Sequence, residues 1–202
     1  EYPGIVDGAL IIGGIQIQSR AAIGGNLCNA APSGDAICPL IVYGATAHIS
    51  GPSGSREVSV EDFCTGPSTT ILQNGELLVK IVVPKPSASS GAAYERFTPR
   101  NEMDIAVAAV AVSVQLNANG DSFESARIAL AAVGPTPILA NKAGSSLSGK
   151  PINDDSISEA ASLAKEEARP ISDMRGTIEQ RKHLIEVITA RMIKEAVKRA
   201  RG

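Results

Sequence analysis

The residues best suited to chemistry are two adjacent glycines, Gly24 and Gly25, with asparagines on their carboxyl side. Adjacent glycines let successive backbone N–H groups turn towards one point, and they place no side chain in the path of a ligand. Such a nest of donors suits a diphosphate. Asn26 and Asn29 add amide donors and acceptors, and Asp35 can accept a hydrogen bond from a sugar hydroxyl. The same Gly-Gly-Asn sequence also occurs in ordinary turns, so both interpretations stand on this segment alone.

Other familiar arrangements of reactive side chains are missing from the sequence. Neither the G-x-G-x-x-G fingerprint nor the P-loop occurs, and no Ser/His/Asp or Cys/His set can be assembled. Cys28, Cys38 and Cys64 are too few for an all-cysteine iron–sulfur cluster, and His48 and His183 stand apart from them. An odd number of widely spaced cysteines is typical of a reducing compartment. We therefore expect no catalytic side chain, no metal and a cytoplasmic location.

Composition and charge exclude two further classes. The formal net charge is −2 and aromatic residues make up 3% of the chain, so neither a basic surface nor stacking platforms favour nucleic acid. The chain also lacks an apolar run of the roughly 20 residues that a membrane-spanning helix requires. We expect no nucleic-acid partner and no membrane span.

The hydrophobic pattern around the glycines predicts an α+β order of elements, with strands first and helices at the end. Residues 106–116 fit either a buried helix or a strand, and alternating valines favour a strand for their second half. Asp154 or Asp155 is expected to cap the helix that follows. The other predicted elements are a helix at 5–12, an ordered loop at 24–35 leading towards a helix, a helix-to-strand stretch at 39–47, a hairpin within 45–60, a strand at 76–83, a linker at 84–91, a strand at 126–133, and helices at 156–167 and 177–201.

Four stretches in a fixed order form a pattern more specific than one loop. They read QIQSRAAIGGNLCNAAPSGD at 16–35, DFCTGPSTTILQNGELL at 62–78, YERFTPRNEMDIA at 94–106 and PISDMR at 170–175. Together they resemble the FAD-binding, or medium, subunits of the molybdenum hydroxylase family, which includes xanthine dehydrogenase and carbon monoxide dehydrogenase. The resemblance extends from about Tyr2 to Arg199, which is nearly the whole chain.

The resemblance implies a fold and a division into two domains. Residues 1–86 would be the second subdomain of a PCMH-type FAD-binding domain. Residues 87–202 would be a carbon monoxide dehydrogenase flavoprotein-like C-terminal domain, a small antiparallel sheet packed with helices. Members of the family begin with a further subdomain that carries another Gly-rich loop. We therefore expect this chain to lack the N-terminal FAD subdomain.

The resemblance also places nine residues at the FAD. Leu77 and Leu78 would pack near the isoalloxazine ring. Arg96 stands where the family commonly has Lys, and a cation there can stabilise the anionic reduced flavin. The usual Thr or Ser before Ile-Gly-Gly is Ala22 here, which removes one hydroxyl contact. The nine expected cofactor-binding residues are Ile23, Gly24, Gly25, Asn26, Asn29, Asp35, Leu77, Leu78 and Arg96.

The implied function is electron transfer within an oxidoreductase complex. The flavin subunit would take electrons from [2Fe–2S] clusters in a small subunit, after oxidation of a substrate at molybdopterin in a large subunit. It would then pass them to an external acceptor, and the complex would be a dimer of heterotrimers. The alternative is a flavin-free scaffold that docks the iron–sulfur and molybdenum subunits. Neither the substrate nor the acceptor follows from the sequence.

Overall fold

The computed structural model describes residues 1–101 and 103–202 and shows a mixed α/β architecture. Glu102, within the third stretch quoted above, lies outside the described residues. The helices are α1 (Pro3–Ile11), α2 (Ile15–Gln18), α3 (Ile23–Asn29), α4 (Ile37–Val42), α5 (Asn141–Leu147), α6 (Asp154–Glu167) and α7 (Ile178–Arg201). The strands are β1 (Thr46–Gly51), β2 (Gly54–Ser59), β3 (Cys64–Gly66), β4 (Thr69–Thr70), β5 (Leu77–Val82), β6 (Ser90–Phe97), β7 (Ala108–Leu116), β8 (Phe123–Ala131) and β9 (Ile138–Leu139).

A three-stranded antiparallel sheet in the order β2-β1-β5 follows the first four helices. The predicted hairpin is confirmed, since Gly51 pairs with Gly54 across the turn between β1 and β2. Strand β5 is hydrogen-bonded to β1 on one side and lies at the edge of this sheet. Arg56 donates from Nε and Nη2 to the carboxylate of Glu76 at 2.8 and 2.7 Å, which fixes the start of β5.

The second sheet, β6-β7-β8-β9, is antiparallel and buried on both faces. Its two central strands carry branched residues on one face and alanines on the other, because successive side chains point to opposite sides. The branched side chains Val110, Val112, Ile128 and Leu130 pack against α5, α6 and α7. Alanines 109, 111, 129 and 131 face α4 and the first part of the chain. Small side chains allow close approach there, so the two halves of the chain share one core.

The last two helices begin at side-chain caps. Asn153 Oδ1 accepts a hydrogen bond from the Ser156 amide at 2.9 Å and caps α6. The expectation that Asp154 or Asp155 caps this helix is therefore wrong, because the helix already begins at Asp154. Thr177 Oγ1 accepts from the Gln180 amide at 3.1 Å and caps α7.

Two further expectations differ from the structure. The segment 24–35, expected as a loop, contains α3, and its glycines have helical rather than nest geometry. Residues 106–116 form a strand from Ala108 onwards, so the helix alternative is wrong. Strand β6 lies partly within the predicted linker and was not predicted as a strand, because its Ser-Gly-Ala-Ala start has low β propensity. Among the described residues, the helices are all too short or too polar to cross a membrane.

Candidate functional site

The candidate site begins at the first turn of α3. The Asn26 amide donates to the Ala22 carbonyl at 2.9 Å and makes the first helical hydrogen bond. The amides of Ile23, Gly24 and Gly25 have no hydrogen-bond acceptor among the residues that the structure describes. The first N–H groups of a helix lack an intrahelical partner, and together they carry partial positive charge. Three donors are therefore available side by side at one helix end.

Packing does not explain why Gly24 and Gly25 are glycines. A Cβ atom at Gly24 would lie 3.7 Å from Leu78 Cδ2, and one at Gly25 would lie 3.9 Å from Ala22 Cβ, both ordinary contact distances. Neither residue has a positive φ. By contrast, a Cβ at Gly8 would meet the Asp35 carbonyl oxygen at 2.5 Å, and one at Gly91 would meet the Ala196 oxygen at 2.1 Å. The glycines of α3 therefore cost helix stability, and no close contact with the described residues requires them.

A groove of about 370 Å³ opens beside Gly24. Its walls are mainly apolar and come from α1, α3, α4 and β5. Lys80 is the charged residue among its described walls. The lining residues are Ile5, Ile23, Gly24, Leu40, Leu78, Val79, Lys80, Ile81 and Val83. An apolar groove lined by Ile23 and Gly24, whose amides have no acceptor among the described residues, suits a ligand that carries both an anionic group and an apolar ring.

Strand β5 separates the two expected leucines. Leu78 lies in the groove, whereas the side chain of Leu77 is 72% exposed on the other face of the strand. Neighbouring residues of a strand point in opposite directions, so one strand face cannot hold both. Ile81 lies on the groove side with Leu78.

The two asparagines lie at different ends of α3. Asn26 Oδ1 accepts a hydrogen bond from the Ala36 amide at 3.1 Å and so ties the loop at 30–36 to the helix. Asn29 is the last residue of α3 and is exposed. At 1.5 Å per residue it stands about 9 Å along the axis from Ile23.

Asp35 and Arg96 meet each other away from the glycines. Arg96 Nη1 contacts Asp35 Oδ2 at 2.5 Å, and the hydroxyl of Tyr94 donates to Asp35 Oδ1 at 2.8 Å. All three side chains are buried or nearly so. Burial raises the pKa of Asp35 above its ordinary value, while the hydrogen bonds from Tyr94 and Arg96 act in the opposite direction. Because Ala36 is bonded to Asn26, this ion pair and the first turn of α3 are held by one loop.

The structure brings six of the nine expected residues towards two neighbouring places. Ile23, Gly24 and Leu78 line the groove, Gly25 follows Gly24 in α3, and Asp35 lies with Arg96 in the ion pair. Asn26 links the two, while Asn29 and Leu77 are exposed outside both. Within residues 1–101 and 103–202, His, Cys, Asp and Glu nowhere form a group of three that could hold a metal ion.

Tyr94 and Ile81 were not singled out as site residues in the sequence. Strict alternation from Leu78 selects Lys80 and Val82, so the sequence alone does not indicate Ile81; a register shift in β5 opposite His48 and Ile49 brings Ile81 to the side of Leu78. Tyr94 joins Asp35 across 59 positions, and no local pattern could have paired them.

Both parts of the chain match family models of flavin-protein domains. Residues 1–86 match the FAD binding domain in molybdopterin dehydrogenase, and residues 92–196 match the CO dehydrogenase flavoprotein C-terminal domain. The chain therefore belongs to the FAD-binding subunit family of the molybdenum hydroxylases. This is a family of oxidoreductase subunits, and the expected family and fold class are confirmed.

Individual relatives cover the whole chain. The xanthine dehydrogenase FAD-binding subunit of Escherichia coli O157:H7 is 34% identical over 203 aligned residues, which include 100% of this chain and 69% of the relative. The carbon monoxide dehydrogenase medium chain of Afipia carboxidovorans is 35% identical, with 100% of this chain and 69% of the relative covered. A solved structure of reconstituted CO dehydrogenase from Oligotropha carboxidovorans superposes with a TM-score of 0.90 at 34% identity, over 96% of this chain and 66% of that chain. The chain thus spans about two thirds of the length of these relatives.

Proposed function

We propose that this chain is the FAD-binding, electron-transferring part of a molybdenum-containing hydroxylase or dehydrogenase complex. The observation that carries the proposal is the pair of helical glycines, Gly24 and Gly25, which the fold does not need, beside three free amides and an apolar groove. A diphosphate requires close approach to such donors, and a Cβ atom would stand in its way. Bound FAD would supply the redox chemistry, linking iron–sulfur clusters to an acceptor.

The chain's own residues fit this cofactor in distinct roles. Ile23, Gly24 and Gly25 would donate their amide hydrogens to the diphosphate, with Asn26 and Asn29 alongside. Leu78 would pack against an apolar part of the cofactor, and Leu77, exposed on the opposite face of β5, would meet a different part of it. Arg96, held by Asp35, would place a fixed positive charge near the flavin. Position at the groove and at the start of α3 supports the roles of Ile23, Gly24, Gly25 and Leu78, whereas the roles of Asn29, Leu77 and Arg96 rest on the family resemblance.

The rest of the complex belongs to the same proposal. We infer a molybdopterin-binding large subunit and a [2Fe–2S] small subunit as partners, in a dimer of heterotrimers located in the cytoplasm. The medium-chain names of the relatives support partner subunits, and the free thiols of Cys28, Cys38 and Cys64 suit a reducing compartment. We also place a domain boundary at 86/87, between FAD-binding and C-terminal parts.

The test is purification of this chain after co-expression with the reading frames that flank its gene. We expect a complex that contains iron, sulfide and molybdopterin and that releases one FAD per copy of this chain on denaturation. A complex that forms with the same partners but releases no FAD on denaturation would support the scaffold alternative instead. A chain that associates with neither partner would contradict both.

A further inference from the structure

Tyr94 is a buried polar residue whose hydroxyl contacts the ion pair of Asp35 and Arg96. Its ring belongs to the core shared by the two halves of the chain, and its side chain is 5% exposed. Its hydroxyl donates to Asp35 Oδ1 at 2.8 Å. Burial raises the pKa of Tyr94 well above its ordinary value, so the hydroxyl keeps its proton and remains a donor. A phenylalanine would fill the same space, and therefore the hydroxyl serves Asp35 rather than packing.

Asp35 depends on few donors. Among the described residues its carboxylate accepts from the Tyr94 hydroxyl and the Arg96 guanidinium, one to each oxygen. A buried carboxylate stays ionised only where such donors offset the loss of water. The thiol of Cys38, on α4, is the other titratable group close to it, and burial raises that thiol's pKa, so it remains neutral. Asp35 is 6% exposed, so these two donors decide its charge state.

The ion pair with Asp35 also fixes the orientation of the Arg96 guanidinium. Nη1 is bonded to Asp35, and Arg96 also lines a cleft of about 460 Å³ whose other charged residues are Asp7, Glu95, Glu195 and Arg199. A guanidinium has five N–H donors, so those not used by Asp35 can face the cleft. Without an ionised Asp35 to hold one end, a long arginine side chain would sample several rotamers.

The main chain of Tyr94 is anchored from behind. Its amide donates to Asp7 Oδ2 at 3.1 Å, and Arg199 Nη1 contacts the same oxygen at 2.6 Å. Asp7 is on α1 and Arg199 is on α7. Tyr94 is therefore fixed by helices from both ends of the chain, and it passes that rigidity to Asp35 and Arg96.

We propose that Tyr94 is a positioning residue of the flavin site, whose hydroxyl holds Asp35, and through it Arg96, in the geometry that binds the cofactor. This inference rests on the proposed function, because Asp35 and Arg96 can contact a flavin only if the chain binds FAD. Its consequence is a pH dependence. FAD affinity falls when the pH drops through the titration of Asp35, and loss of the Tyr94 donor moves that fall to higher pH.

The experiment measures FAD affinity of the co-purified complex, after removal of the cofactor, between pH 5 and 8. In Tyr94→Phe we expect the acid-side fall to move up by about one pH unit, as loss of a hydrogen bond to a charged group implies. Asp35→Asn should bind weakly and show no acid-side fall. Ser113→Ala is the control, because it removes a part-buried hydroxyl that donates to the Val42 carbonyl at 2.8 Å rather than to Asp35, and it should follow the wild-type profile.

Each remaining outcome counts against a defined claim. A Tyr94→Phe profile equal to wild type, or weakened equally at every pH, would overturn the positioning role, since a merely structural role has no pH signature. If Tyr94→Phe does not fold, an acid-side fall that persists in Asp35→Asn overturns it equally well. Wild-type protein that binds no FAD at any pH would overturn the proposed function itself.

Discussion

Replacement of both α3 glycines by alanine should separate stability from cofactor binding. Alanine is favoured over glycine in a helix by about 0.5–1 kcal/mol, and the first turn places each substitution at the lower end. The added methyl groups would meet Leu78 at 3.7 Å and Ala22 at 3.9 Å, so no clash offsets this gain. We expect the double variant Gly24→Ala, Gly25→Ala to be more stable by about 1 kcal/mol, a rise in Tm of roughly 2–4 °C.

The same methyl groups should weaken FAD binding. They stand beside the free amides, where they would push a diphosphate oxygen out of hydrogen-bond distance. Loss of one hydrogen bond to a charged group is worth about 1.5–3 kcal/mol, which corresponds to a roughly 10- to 100-fold rise in Kd. Flavin fluorescence titration measures the affinity, and thermal unfolding without FAD measures the stability.

Gly66→Ala is the matched control for this pair. Its Cβ would also make an ordinary contact, 3.7 Å from Thr69, at a position away from α3. We expect its FAD affinity to equal that of wild type. A double variant that is destabilised, or one that is stabilised and binds FAD normally, would refute the reasoning, because the glycines would then serve the fold or nothing at all.

Two further predictions concern the ion pair and the shared core. Arg96→Met should lower the free energy of unfolding at neutral pH by about 3 kcal/mol, because it leaves Asp35 buried without its cation. Burial raises the pKa of Asp35 in the folded state, so protonation of Asp35 favours folding. This contribution to the free energy of unfolding is complete below the unfolded-state pKa and is lost as the pH rises through the folded-state pKa. Denaturant unfolding should therefore show the Arg96→Met deficit shrinking on acidification, and a deficit independent of pH would contradict this. Separately, fragments 1–86 and 87–202 should each fail to fold, and the intact chain should unfold in one calorimetric transition; a folded 87–202 fragment would contradict the shared core.

Local sequence patterns predicted the elements whose stability is local. The helix at 177–201 and the hairpin around Gly51 and Gly54 follow from periodicity and turn chemistry, and both are confirmed. The segment from Gly24 was expected to be a loop, because two glycines disfavour helix in any local scale. The helix forms there nonetheless, since its other face carries Leu27, which is fully buried in the core.

The sequence predicts only those parts of the site that are contiguous in the chain or that follow from the family resemblance. The Gly-Gly-Asn segment is one stretch of chain, and its free amides can be foreseen from sequence. The contact of Asp35 with Tyr94 and Arg96 arises because β6 crosses under the loop at 30–36, and no spacing rule encodes that crossing. The family resemblance placed Leu77 and Leu78 at the cofactor together. Neighbouring side chains of a strand point to opposite faces, so Leu78 lies in the groove and Leu77 does not.

Hydrogen exchange at the first turn of α3 tests the central claim most directly. The amides of Ile23, Gly24 and Gly25 have no protein acceptor among the described residues, so without FAD they should exchange rapidly. With saturating FAD, whose binding is verified by flavin fluorescence, we expect the peptide covering residues 22–27 to become strongly protected. Equal exchange with and without bound FAD would show that these amides do not hold the cofactor.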